Sequence, residues 1–287
     1  MTGCLEAVHC QPTFIPERQH KMDDQDVSPV DGRPLRLDGE DWIRPHLVRA
    51  ASLAPRRALP DAWPSQSRLA HRAKQLLLRT PLRELFTYRY RFMFSPSQLC
   101  FLCQQITNTA EVPGSILEVG CAFGATTVFL NRHIDTLGID VDYYAIDTFA
   151  GFTAKDISFE HALGRHYRYH NEFRGNSEPW FNRTMRRNGV RRVTSFRADA
   201  TTFDYTRIAP LRFALVDVDL YRPVLAVLEN IYDLVSPGGT IVTDDCQQGG
   251  RWGGAYDAFT EFTKTKGLDA IITADNLGLI TKPRPNV

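Results

Sequence analysis

The chain has 287 residues, 43% of them hydrophobic, and 34 Lys and Arg against 33 Asp and Glu leave a net charge of +1. That length supports one sizeable core with an appendage rather than two full domains, and the near-neutral balance excludes naming a partner from bulk charge. No apolar run reaches the roughly 18 to 20 residues of a membrane span, and the N-terminus (MTGCLEAVHCQPTF) lacks a basic segment followed by an apolar one, so a cytoplasmic protein without membrane contact is expected.

Residues 1–40 mix Pro, Gly, Asp and Arg without apolar periodicity, which predicts a disordered tail or an arm laid on a partner. Residues 41–95 read as a basic helical extension, with Arg49, Arg56, Arg57, Arg68, Arg72, Lys74, Arg79, Arg83 and Arg89 against Asp61 and Glu84. Such a run is either a nucleic-acid patch or the solvated face of a helix. Leu69, Leu76, Leu77 and Leu78 at near-helical spacing, with no aromatic interleaving, favour the helix and argue against nucleic acid. The extension is also a candidate contact in a homo-oligomer.

The six cysteines show no disulfide-framework spacing, and reduced thiols are expected. Cys100 and Cys103 form a CxxC inside "SPSQLCFLCQQI", an amphipathic helical pattern with no second ligand pair. Both are expected in the core.

From residue 96 to 287 a single α/β domain is expected. "GSILEVG" is a short strand running into a glycine, "ATTVFLNRHI" a helix, "YYAIDTF", "RRVTSFRADA" and "RFALVDVDLY" three further strands. "PVLAVLENIYDLV" carries a helical apolar stripe that "SPGG" is expected to stop before the strand "TIVTDDC". "AYDAFTEFTKTKG" then reads as a helix and "AIITADNLGLITK" as a closing hairpin. Strands alternating with helices imply a mostly parallel sheet with helices on both faces, whose ligands sit at the carboxyl ends of the strands. Asp147, Asp199, Asp217, Asp219, Asp244 and Asp245 all fall at or just past such ends.

In "LEVGCAFGATTVFL" Glu118 stands near the end of the first strand, Gly120 in the turn and Gly124 at the start of the helix. A nicotinamide dinucleotide calls for G-x-G-x-x-G, which Cys121 and Ala122 interrupt. An acid two residues before the glycine suits S-adenosylmethionine, whose ammonium and sulfonium are cationic. Asp147 is the natural partner for ribose hydroxyls, with Asp140 or Asp142 as alternatives, and Asp199 for an adenine amino group with Ala200 against the ring.

Neighbouring strand tips bring the remaining acids within several ångströms of one another. Two carboxylates about 5 Å apart repel by roughly 3 kcal/mol at an effective dielectric near 20, so either protons or a cation must join them. All-carboxylate ligation selects a hard ion such as Mg2+, which keeps positions for substrate oxygens. Asp217, Asp244 and Asp245 are the expected ligands and Asp219 the general base toward a hydroxyl. Alternatively Asp219 and Asp245 merely cap the helices that follow them.

On "VPGSILEVGCAFGATT", "YAIDTFAGF", "DVDLYRPVLAVLENIYDLVSPGG" and "TDDC", the chain from about Tyr88 to Gly267 resembles the macrocin O-methyltransferase (TylF-like) family, which methylates sugar hydroxyls of macrolide and aminocoumarin antibiotics. The resemblance implies the class I methyltransferase fold, Rossmann-like, with S-adenosylmethionine as donor and Mg2+-dependent O-methyl transfer to a small-molecule acceptor. It implies cofactor contacts at Glu118, Gly120, Cys121, Ala122, Phe123, Asp147, Thr148, Asp199, Ala200 and Asp217, metal ligands at Asp217, Asp244 and Asp245, and the base at Asp219. Where the family often has Trp-Arg-Gly-Gly in the turn, this chain has Cys121, Ala122, Phe123 and Gly124. The segment from Lys155 to Asn188 should form a lid over the acceptor, with His161, His166 or His170 as alternative bases. An NAD-linked dehydrogenase and a noncatalytic cofactor-binding or RNA-associated protein are the competing readings.

Overall fold

A computed structural model describes residues 68–77, 79–80, 90–166 and 173–284. The tail expected at 1–40 lies outside them. Of the extension expected at 41–95, helix α1 (Arg68–Leu77) is described, with Leu69 and Leu76 exposed. Among the described residues no helix is long and apolar enough to cross a membrane.

The elements follow as α2 (Pro96–Asn108), β1 (Ser115–Val119), α3 (Ala125–Leu137), β2 (Tyr143–Asp147), α4 (Ala154–Ala162), α5 (Glu178–Arg187), β3 (Val193–Arg197), β4 (Leu211–Val216), α6 (Tyr221–Ile231), β5 (Val235–Thr243), α7 (Gly253–Lys266), β6 (Ala270–Ile272) and β7 (Gly278–Thr281). The seven strands form one sheet in the order β3-β2-β1-β4-β5-β7-β6. β1 to β5 pair in parallel and β7 runs antiparallel to both neighbours.

The period-two alternation of the strands divides the core between the two faces. Leu117, Val119, Ile146, Ala214, Val216 and Ile241 pack with Val224, Val227, Leu228 and Ile231 of α6 and with Ala258, Phe259 and Phe262 of α7. Ile116, Tyr143, Phe213, Leu215 and Val242 face Leu99, Leu102 and Ile106 of α2 and Leu130 and Ile134 of α3. Phe181 and Met185 of α5 join Ala145 and Cys121 in a smaller cluster. Helices therefore cover both faces, as expected of a sheet whose strands are apolar on both sides.

Three expectations need correction. "SPGG" does not end a helix: α6 stops at Ile231, a 3₁₀ turn covers Tyr232–Leu234, and β5 already begins at Val235. Val235 pairs with Leu211 and Thr240 with Phe213, so Ser236 to Gly239 bulge opposite Arg212 alone. The strand survives the proline because β7's extension holds it, with Gly238 N–H donating to the Lys282 carbonyl at 2.8 Å and Lys282 N–H to that of Gly239 at 2.9 Å. Cys100 is exposed, since α2 buries Leu99, Leu102, Gln105 and Ile106, while Cys103 is half-buried and packs against the core beside that stripe. The stretch from Lys155 to Asn188 is not one lid, because α5 is a sheet-covering helix in the crossover from β2 to β3.

Candidate active site

Strand order reverses between β1 and β4, and a cavity of about 220 Å³ opens there at the carboxyl ends of the parallel strands. Parallel ladder bonds persist one step beyond the strands and fix the tips. Gly120 N–H donates to Ile146 O (2.8 Å), Asp217 N–H to Val119 O (2.8 Å), Asp244 N–H to Val216 O (2.9 Å) and Ala198 N–H to Asp147 O (3.0 Å). Since Val216 pairs with Thr243, Asp217 and Asp244 stand side by side on adjacent strands. All six aspartates singled out in the sequence line this one cavity.

The turn after β1 has room for backbone only. Gly120 has φ +91°, and a Cβ there would fall 1.7 Å from the Asp217 carbonyl oxygen. Ala122 follows at φ +43° and donates its N–H to Asp147 Oδ2 at 2.8 Å, while Phe149 N–H donates to Asp147 Oδ1 at 2.7 Å. Burial pushes the Asp147 carboxyl upward, and these two N–H groups oppose the rise. Asp199 accepts on Oδ1 from both the N–H and the hydroxyl of Thr201, each at 2.8 Å. Of the expected cofactor contacts, Gly120, Ala122, Asp147, Thr148, Asp199, Ala200 and Asp217 line the cavity.

Glu118, Cys121 and Phe123 do not. Glu118 is 1% exposed and points to the opposite side of β1, where its Oε2 accepts from the hydroxyls of Thr127 (2.7 Å) and Tyr143 (2.6 Å). Burial is the largest cause of a pKa raised to about 7, and the two hydroxyls act against it. Period-two alternation explains the placement: Val119 and Leu117 share one face and Glu118 the other. Cys121 is buried beside Ala145 and Phe181, and Phe123 lies 41% exposed against Trp180 of α5.

At the other half of the cavity, one carboxylate oxygen from each of Asp217, Asp244 and Asp245 lies within 4.8 Å of the other two. Burial, then the Asp244, Asp219 and Asp245 charges, drives the Asp217 carboxyl far above the ordinary carboxylate range. Burial and Asp245 lift Asp244 to about 7. Asp219 is raised by burial and by Asp245, with which it shares a hydrogen bond, and Asp245 is raised by burial against the pull of that bond and of Arg251. Every member of the cluster therefore resists full ionisation, which is the condition a divalent cation relieves.

The backbone is strained where these side chains are aimed. Asp219 has φ +61° at the centre of a tight turn closed by Leu220 N–H to Val218 O at 2.6 Å, and Asp245 has φ +56°. Such conformations cost about 1–3 kcal/mol each in a non-glycine residue and concentrate at functional sites. Neither residue caps a helix. Leu220 holds the N-cap position of α6 and Trp252 that of α7, and no side chain caps either. The capping alternative for these two acids is thereby removed.

Several lining residues carried no signal in the sequence. Asp156 is held by the Thr153 hydroxyl at 2.5 Å and by Arg222 Nη1 at 2.9 Å. Phe152 contacts both Phe173 and Trp252 with ring centroids 5.6 Å apart, and Phe152 and Trp252 pack on Leu220, next to Asp219. Met93 also lines the cavity. Trp252 between paired glycines in "GGRWGG" was the one visible cue. His161 and His166 pair with each other at 5.4 Å and do not line the cavity, so neither is placed as a base; His170 lies outside the described residues.

Strand order, the glycine turn after β1 and a cavity at the β1/β4 reversal are those of the Rossmann-like class I methyltransferase fold. The profile of the Macrocin-O-methyltransferase (TylF) family matches residues 97–281. The chain belongs to that family and is an S-adenosylmethionine-dependent O-methyltransferase. The O-methyltransferase NovP is similar in structure, with TM-score 0.60 and 20% identity over 68% of this chain and 84% of that one. CalS11, a calicheamicin methyltransferase, gives TM-score 0.54 and 17% identity over 89% of this chain and 99% of its own. A search of curated proteins finds no match.

Proposed function

We propose that this enzyme transfers the methyl group of S-adenosylmethionine to a hydroxyl of a small polyhydroxylated acceptor, a sugar moiety of a natural product, with Mg2+ held by Asp217, Asp244 and Asp245. The observation that carries the metal is the convergence of three carboxylates from adjacent strand tips, all disfavoured as bare anions and none spent on a helix cap. The donor set is oxygen only, which fits a hard divalent ion with positions left for substrate.

S-adenosylmethionine fits the other half. Gly120 lets the turn after β1 lie directly against the Asp217 carbonyl at the cavity's edge, and the Asp147 carboxylate is pre-oriented by two N–H groups while keeping lone pairs for ribose hydroxyls. The two bonds to Asp199 fall on Oδ1, which leaves Oδ2 to accept from an adenine amino group, with Ala200 lining the same cavity. The bound donor supplies an electrophilic methyl carbon, and the bound cation supplies Lewis acidity toward an alcohol.

The chain's own residues do the rest. Asp219 would take the proton from the acceptor hydroxyl as the methyl group passes to that oxygen, the donor departing as a neutral thioether. Its strained turn holds the carboxyl at the cluster's edge. Phe152, Phe173 and Trp252 line the cavity and would supply apolar contact to the C–H-rich face of a sugar. Membership of a family named for macrocin supports the sugar reading. Counting tritium moved from labelled donor into a panel of desmethyl glycosylated macrolides and aminocoumarins tests it. Transfer should stop in EDTA and return with Mg2+; undiminished transfer in chelator defeats the metal assignment, and transfer only to acceptors without sugars defeats the acceptor class.

A further inference from the structure

We infer that Gln98, in the first turn of α2, is the positioning residue for Asp244 and sets the affinity of the divalent-cation site. The inference rests on the reading of Asp217, Asp244 and Asp245 as metal ligands. Gln98 lies 146 residues from Asp244 in the chain, does not line the cavity, and carries no motif that pointed to it.

Its amide is anchored on three sides. Nε2 donates to Asp244 Oδ1 at 3.3 Å and to the Asp275 carbonyl at 3.0 Å, and Oε1 accepts from Ser95 N–H at 2.8 Å. A flipped amide would set its oxygen against two acceptors and its NH2 against a donor, so the network admits one orientation only. The contacts join the α2 N-cap, the turn between β6 and β7 and the tip of β5. The same turn holds β5 from its far side, through Cys246 N–H to Asn276 O at 2.7 Å.

The chemistry of the donor matters. A lysine or arginine at this place would neutralise Asp244 and compete with a cation, whereas a neutral amide occupies one lone pair on Oδ1 and fixes the carboxylate plane. Groups of this kind behind a ligand typically govern 10- to 100-fold in metal affinity. Gln98 also closes a capping box with Ser95, whose Oγ accepts from Gln98 N–H at 3.2 Å, so a purely structural role predicts that breaking the box from either side has the same effect.

The test is Mn2+ binding to the full chain, read from the electron paramagnetic resonance signal of free Mn2+, for wild type, Gln98→Ala, Gln98→Met and Ser95→Ala. Gln98→Met keeps the side-chain length and supports folding if Gln98→Ala does not. Both Gln98 variants should bind Mn2+ about tenfold or more weakly with S-adenosylmethionine affinity within twofold by calorimetry, and Ser95→Ala should lose thermal stability while keeping its Mn2+ affinity. Equal Mn2+ affinity in wild type and Gln98→Met, or an equal loss in Ser95→Ala, overturns the role of Gln98. Absence of Mn2+ binding by wild type instead defeats the metal reading itself, and this inference with it.

Discussion

Glu118→Gln isolates what a buried carboxylate does to stability, because Glu118 faces away from the cavity. Its pKa rises from an ordinary 4.5 to about 7 in the fold, with burial the leading cause. A group raised in this way contributes stability that is fully present below pH 4.5 and is lost as pH climbs through 7. At about 1.4 kcal/mol per pH unit the whole effect is roughly 3 kcal/mol, of which about 2 kcal/mol falls between pH 5.5 and 8. The residue is 1% exposed, so solvent screening removes little of it. Glutamine keeps a carbonyl for the Thr127 and Tyr143 hydroxyls and has nothing to ionise. Urea unfolding in EDTA at pH 5.5 and pH 8 should show wild type losing about 2 kcal/mol more than Glu118→Gln on going to the higher pH. The neighbouring aspartates titrate in both proteins and largely cancel in the difference, leaving only the smaller coupling of Asp147 and Asp217 to Glu118. Equal pH dependence in the two proteins would refute the reasoning.

Three further outcomes follow from the site. Asp219→Asn should lower kcat by about 100-fold while donor affinity stays within twofold, the size expected for loss of a general base; an unchanged kcat assigns the proton to another group. Trp252→Ala should raise the acceptor KM by about two- to tenfold, the value of one aromatic face, and leave donor affinity unchanged in calorimetry. Gly120→Ala should cost more than about 4 kcal/mol in denaturant unfolding, since its Cβ meets the Asp217 carbonyl at 1.7 Å and its φ is positive; a soluble, donor-binding variant of near wild-type stability would contradict that geometry.

The sheet was legible because β1, β2, β4 and the end of β5 are short, mainly apolar runs closed by glycine or aspartate, and the six aspartates fell into one cavity because strand tips share one edge. What escaped was what sequence spacing does not encode. Glu118 sits one residue from Val119, and period two alone sends it to the far face, where Thr127 and Tyr143 receive it. "SPGG" carries the signature of a helix stop, yet pairing with β4 and the chain after β7 absorbs it as a bulge in β5. Gln98 and Asp156 reach the site only through tertiary packing, from helices whose patterns report burial and capping. The lid reading joined two different things: Asp156 and Phe173 do border the cavity, but Phe181 and Met185 commit α5 to the sheet. The N-terminal extension, with its suggested part in self-association, falls largely outside the described residues.

A divalent ion held by acids at the tips of β4 and β5 is central to the proposed transfer. Anomalous diffraction from crystals grown with Mn2+ and S-adenosylhomocysteine measures this directly. A single peak about 2.0–2.3 Å from oxygens of Asp217, Asp244 and Asp245, with the cofactor's ribose on Asp147, is the predicted result. An anomalous map without density at those carboxylates, or with Mn2+ bound elsewhere, would contradict it.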